Sequence, residues 1–291
     1  MRTVTVAATQ MACGLDEPAN IAQAEALVRK AAAQGAQIVL LPELFESQYF
    51  CQDEHPDDLH RARPASGNPT LDHFAALAAE LQVVLPVSFY ERAGQARFNS
   101  VAVLDADGTR LGIYRKTHIP HGAGYQEKYH FSPGDTGFRV WDTAYGRVGV
   151  GICWDQWFPE TARAMALQGA ELLFFPTAIG SEIGQDDWDS APHWQRVQQG
   201  HAGANLVPLI AANRIGTEPG RIGTQMTFYG ASFMTDEFGA KVAEADREAE
   251  TILLHNYDLD ASARNRAYWG VFRDRRPEHY GPLLTLDGTE R

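Results

Sequence analysis

The chain has 291 residues, of which 44% are hydrophobic and 21% charged, a soluble globular balance with enough length to bury a large core unaided. Its formal net charge of −12 disfavours nucleic acid and anionic membrane as partners, and suits a cationic small substrate or simple solubility. Three scattered cysteines without a CxxC pair exclude a disulfide framework, no apolar run is long enough to cross a bilayer, and the alternating start MRTVTVAATQ reads as a strand and not a signal peptide, so a reducing cytoplasm is the expected location.

In chain order, residues 3–8 are β-branched and alternating and predict a strand. Ile21, Leu27, Val28 and Ala31 share a face of a helix over 20–33, with Gly35 as its stop. A buried-type strand at 37–41 runs into Pro42 and Glu43. Asn68 and Pro69 read as cap and first turn of a helix carrying Leu71, Phe74, Leu77, Ala78 and Leu81 at helical spacing. A strand follows at 83–90, then a hairpin of 101–104 and 111–114 about Asp107-Gly108. The second half repeats the rhythm: strands at 147–152, 171–176, 206–213, 231–234, 241–243 and 251–257, and helices from Pro159 to about Gly169, over 194–204 and over 260–269. No linker, repeat or low-complexity segment interrupts it, so the expectation is one α/β domain over 1–291 with an irregular tail from about 270.

Three of these strands end in a reactive side chain: QIVLLPE in Glu43, RLGIYRK in Lys116 and RVGVGIC in Cys153. In α/β sheets, sites gather beyond the carboxyl ends of strands. A carboxylate, an ammonium and a thiol meeting there make a catalytic set. The expected effect of the helix opened by Pro159 and of the Lys116 charge is to lower the Cys153 pKa toward a thiolate. Glu43 would take the thiol proton, hand it to a leaving amine and then activate water. Lys116, with a backbone N–H after Cys153, would hold an oxyanion. Taken singly, each residue has a plainer reading: a packed core cysteine, or a solvated strand end. His118, His121, His130, His193 and His201 leave a Cys–His pair open as well. The Cys and His spacings match no zinc pattern.

PELF at 42–45, YRKTHIP at 114–120 and GICWDQWFPE at 151–160 resemble, in this order, the three catalytic blocks of the nitrilase superfamily of carbon–nitrogen hydrolases. The resemblance extends over nearly the whole chain. It implies a four-layer αββα sandwich, paired across the helices on the cysteine side into a homo-oligomer of even order, and no metal or organic cofactor. It assigns Cys153 as nucleophile, Glu43 as general base, Lys116 as oxyanion stabiliser, and Glu127 in GYQEKYHF as a second glutamate supporting the lysine. HGAGYQEKYHFSPGDTGF, FPTAIGSE and QGHAGANLVPLIAANRIG are similar to the superfamily branch that acts on N-carbamoylputrescine, which implies a small cationic substrate and a place in polyamine synthesis. The same chemistry serves β-ureidopropionases, ω-amidases and nitrilases, and a binding module that keeps the fold without turnover is the non-enzymatic alternative.

Such a substrate needs an apolar tunnel with an anion at its far end. WDQWFPE after the nucleophile brings no arginine before Arg163, which disfavours a carboxylate-bearing substrate, since arginine holds carboxylates best. For the anion, Glu182 is the first choice and Asp187 the second, within an acidic stretch that also holds Asp186 and Asp189; Asp53, Glu54, Asp57 and Asp58 form another, and both stretches have solvated loops as their plainer reading. Tyr49, Trp154 and Trp188 are candidate tunnel walls or packing residues. Cys51 reads as a packed thiol near the site, and Cys13 has no evident role.

Overall fold

Burial alternates along the strands, and the alternation builds the layers. In the computed structural model, which describes residues 1–185 and 187–289, the elements are β1 (Thr3–Ala12), α1 (Glu17–Ala33), β2 (Ile38–Leu40), α2 (Pro69–Leu81), β3 (Leu85–Ala93), β4 (Ala96–Leu104), β5 (Arg110–Arg115), α3 (Glu127–His130), β6 (Val140–Thr143) and β7 (Gly146–Val150). There follow α4 (Pro159–Leu167), β8 (Leu172–Pro176), α5 (Ala191–Asn205), β9 (Leu209–Ala212), β10 (Arg214–Pro219), β11 (Gln225–Tyr229), β12 (Phe233–Thr235), β13 (Lys241–Glu244), β14 (Thr251–Asp258) and α6 (Leu259–Trp269). Leu172 and Phe174 of β8 point into a cluster shared with Val6 and Ala8 of β1, Ile38 and Leu40 of β2 and Val101 and Val103 of β4. That cluster is the seam between two sheets. Their neighbours Leu173 and Phe175 face the other way, onto Met165 of α4 and Trp194 and Ala202 of α5. On the opposite outer face, Ala7, Val39 and Leu85 pack against Leu27 and Val28 of α1 and Leu71 and Phe74 of α2. The result is the αββα sandwich.

One half holds β11-β10-β1-β14 with β2 beside β1, and the hairpin sheet β3-β4-β5, to which β2 is joined by the Ile38–Val84 bridge. The other half is the six-stranded sheet β13-β12-β9-β8-β7-β6, parallel across β7-β8-β9. Asn68 caps α2 as expected, its side chain accepting from the N–H groups of Thr70 and Leu71. After α6 the chain turns at Gly270 (φ 75°) and continues as short 3-10 turns at Pro277–His279 and Gly281–Leu284. Three strands were not anticipated: β6, which pairs antiparallel with β7, and the pair β10 and β11. β10 and β11 pair antiparallel from Ile215↔Tyr229 to Pro219↔Gln225, but RIGTEPGRIGTQMTFY mixes glycine and polar residues too evenly to alternate. The expected strand at 206–213 also starts late, because α5 runs on to Asn205 and Leu206 closes it in the left-handed conformation (φ 51°).

Candidate active site

The carboxyl ends of β2, β5, β7 and β8 meet at one edge of the seam. Pro42 ends the β2 ladder, and the Glu43 N–H crosses to the other sheet to donate to the Thr177 carbonyl at 3.3 Å. The Glu43 side chain is fully buried. Its Oε1 accepts from Lys116 Nζ at 2.9 Å and from Asn99 Nδ2 at 2.6 Å, whereas Oε2 is buried without a partner. A buried acceptor left unpaired costs free energy. Lys116, just past β5, donates also to Glu127 Oε2 at 2.7 Å, and Glu127 Oε1 accepts from the Tyr49 hydroxyl at 2.6 Å. Burial opposes the charge of Lys116, but Glu127 and Glu43 outweigh it and hold the ammonium well above the ordinary lysine range. Burial, with Glu43 adding to it, pushes the Glu127 carboxyl up to about 7 against the pull of Lys116.

Cys153 opens a 3-10 turn, Cys153–Trp157, between β7 and α4. Its φ of 40° lies in the left-handed region that a non-glycine residue adopts only when its surroundings enforce it. Asp155 enforces it: this buried carboxylate accepts from the Ile152 N–H at 3.0 Å, the His118 N–H at 3.0 Å, His118 Nδ1 at 2.7 Å and the Tyr114 hydroxyl at 2.7 Å. Gly151 is required before the turn, since a Cβ there would lie 2.6 Å from the Phe175 ring. The thiol is 4% exposed and sits 3.7 Å from the Ala178 carbonyl.

Its protonation differs from the expectation. Burial first, and Glu43 next, push the Cys153 thiol well above the ordinary range, and the Lys116 charge only partly offsets them. The dipole of α4 does not reach it, because the 3-10 turn stands between Cys153 and Pro159. Two carboxyl groups already share one ammonium in a dry pocket, so a further anion is unfavourable. These surroundings favour the neutral thiol at Cys153 over the thiolate.

A cavity of about 260 Å³ opens onto Cys153, and Tyr125, Trp154, Trp157, Ile179 and Glu182 are among the residues of its wall. Among the described residues, Glu182 is the one acidic side chain on that wall, and neither arginine nor lysine lines it. The Tyr125 hydroxyl accepts from the Gly180 N–H at 2.9 Å. Gly180 is itself needed for a close approach: a Cβ would come within 2.3 Å of the Thr227 carbonyl.

The structure thus brings together Glu43, Lys116, Glu127 and Cys153, with Trp154 and Glu182 on the cavity. It moves the others. Tyr49 is not a tunnel wall; it is buried behind Glu127 and braces it, because its hydroxyl needs an acceptor once the ring is buried. Asp187 and Trp188 are exposed and off the cavity wall, Asp189 pairs with Arg247 at 2.8 Å, and Asp186 lies outside the described residues. Asp53 and Asp58, expected in a solvated loop, are buried: Asp53 accepts from the Arg221 N–H and from Thr224 Oγ1, and Asp58 pairs with Arg61 and Arg221. Glu54 and Asp57 are exposed. Of the histidines, His121 lines the cavity, His118 is held by Asp155 and stacks on Phe158, His130 contacts the Asp53 carbonyl, His201 the Gln156 carbonyl and His193 the Trp157 ring. Cys51 is a buried thiol close enough to Glu127 to feel its charge, and Cys13 is buried near Arg214. Asn99, Asp155 and Tyr125 had no signal in the sequence beyond their residue type. Among the described residues, no group of three or more His, Cys, Asp or Glu side chains is placed to hold a metal ion.

Residues 5–267 match the model of the carbon–nitrogen hydrolase family. The chain is a carbon–nitrogen hydrolase. It is 58% identical to the N-carbamoylputrescine amidase of Solanum lycopersicum, over 99% of this chain and 97% of that one. It is also 51% identical to a citrullinase of Francisella tularensis subsp. tularensis, over 98% of this chain and 99% of that one. Among solved structures, a carbon–nitrogen hydrolase from Helicobacter pylori superposes with a TM-score of 0.92 at 37% identity, covering 98% of this chain and 99% of the other. In this carbon–nitrogen hydrolase no helix among the described residues is long and apolar enough to cross a membrane.

Proposed function

We propose that this hydrolase converts N-carbamoylputrescine and water to putrescine, ammonia and carbon dioxide, a step of polyamine biosynthesis. Cys153 attacks the ureido carbonyl as Glu43 takes the thiol proton through its free Oε2. Lys116 and the backbone N–H after Cys153 stabilise the oxyanion. The proton passes to the departing amine, the C–N bond breaks, and a carbamoyl thioester remains on Cys153. Water activated by Glu43 adds to that carbonyl, the thiol leaves with a proton, and the carbamic acid falls apart to carbon dioxide and an amine. Glu127 keeps Lys116 charged and in place.

One observation carries the choice of substrate: the cavity that opens on Cys153 bears Glu182 and, among the described residues, no arginine or lysine. That wall suits an ammonium at the far end of a ureido chain and offers nothing to a carboxylate. The 58% identical relative named for this substrate supports the same reading. Citrulline, the substrate implied by the name of the other relative, carries both an ammonium and a carboxylate, and its carboxylate would enter this cavity unpaired. N-carbamoyl-β-alanine and dicarboxylate monoamides meet the same objection. Turnover of N-carbamoylputrescine, citrulline and N-carbamoyl-β-alanine, with Cys153→Ala as blank, tests the choice; faster hydrolysis of either carboxylate would overturn it. Failure of iodoacetamide to label Cys153, read by mass spectrometry, would favour a non-catalytic module.

A homo-oligomer is part of the proposal. Leu167, Tyr268, Trp269, Leu283, Leu284 and Leu286 are large apolar side chains left exposed on α4, α6 and the tail. Light scattering after gel filtration, giving a mass of twice the chain or a higher even multiple, is the expected result; a monomer would refute it.

A further inference from the structure

Arg214 is fully buried and belongs to none of the groups used so far. The first residue of β10, it reaches back across the sheet to the segment that carries the proposed base. Its Nε and Nη2 donate to the Glu43 carbonyl at 3.2 and 2.9 Å, and Nη2 donates also to the Leu44 carbonyl. Its Nη1 donates to the Ser47 carbonyl at 2.9 Å and to Glu218 Oε1 at 3.1 Å. Leu44 sits at a φ of 49°, a strained value for a branched side chain, and the guanidinium fork on both sides of that peptide holds it there. The other Glu218 oxygen, Oε2, accepts the Tyr49 N–H, and Tyr49 in turn braces Glu127. One buried ion pair therefore anchors both carboxylates that grip Lys116: Glu43 through its own backbone, Glu127 through Tyr49. A buried ion pair adds little stability compared with apolar packing, so its worth here lies in geometry.

We infer that Arg214 and Glu218 are positioning residues that fix the spacing of Glu43 and Glu127 about Lys116. The inference rests on the roles proposed above for those two carboxylates. Lysine at 214 keeps the charge but cannot form a fork that spans two successive carbonyls. The expected result for Arg214→Lys is a kcat lower by about 10²-fold, the loss associated with a misplacement of roughly 1 Å, with KM for N-carbamoylputrescine within about twofold of wild type. Rates are referred to folded protein by circular dichroism well below the melting temperature. A folded Arg214→Lys enzyme with wild-type kcat, or one whose only defect is a raised KM, would overturn the inference. If Arg214→Lys does not fold, Glu218→Gln and Tyr49→Phe decide it: a kcat loss of about tenfold or more at unchanged KM in either supports it, and wild-type kcat in both overturns it. Glu43→Gln is run beside them. Full activity in Glu43→Gln would remove the underlying reading and the inference with it, whereas an inactive Glu43→Gln beside an unimpaired Arg214→Lys would remove the inference alone.

Discussion

Replacing Glu182 by glutamine keeps the size of the side chain and removes one charge from the cavity. A hydrogen bond between a carboxylate and an ammonium contributes about 1.5–3 kcal/mol when sheltered, which corresponds to about 10- to 150-fold in affinity. Glu182 is half-buried, so water screens part of that and the lower end is expected. The assay compares kcat/KM for N-carbamoylputrescine with that for N-carbamoylbutylamine, the same chain without the terminal amine. Glu182→Gln should lose about tenfold on the first, mostly as a raised KM, and under about threefold on the second. Chemistry at the carbonyl should be unaffected, because Glu182 lies on the cavity wall, whereas the hydrogen bonds of Lys116 Nζ go to Glu43 and Glu127. Equal losses on both substrates would refute the idea that Glu182 reads the ammonium, and the absence of any loss would place the recognition elsewhere.

Cys153→Ala should bring turnover to background with the melting temperature preserved, and Glu43→Gln should cost about 10²–10⁴ in kcat, the usual worth of a general base; both are read by ammonia release. Because the folded Cys153 thiol holds its proton well above the ordinary range, its alkylation rate by iodoacetamide should keep rising as pH increases from 6 to 9, close to tenfold per pH unit; a plateau below pH 8 would mean a thiolate in the resting enzyme. Asp155→Asn leaves several donors facing an amide that cannot accept from all of them, so a loss of about 2–4 kcal/mol in urea unfolding is expected, from the roughly 1–3 kcal/mol attached to each group left unsatisfied. An unchanged unfolding midpoint would show that the turn at Cys153 stands without it.

The chain order of strands and helices, and the places where Glu43, Lys116 and Cys153 stand, were readable because they depend on short-range pattern. Alternating β-branched runs make strands, strands end at proline or at a polar residue, and strands that run the same way bring those ends to one edge. Other parts depended on contacts that no local pattern encodes. Tyr49 looked like a wall because it is aromatic and close to Glu43 in the chain; its partner is Glu127, 78 positions away. Arg214 reaches Glu43 across 171 positions, and β10 gave no alternation to announce it. Asp53 and Asp58 resembled solvated loop acids until Arg61 and Arg221 were seen to pair with them or lie against them. The state of the thiol was decided at the same level. Residue types by themselves put an ammonium near a cysteine and argue for a thiolate, but a pKa follows the sum of burial and every nearby charge. Only the folded chain supplies that sum, and here burial and Glu43 outweigh Lys116.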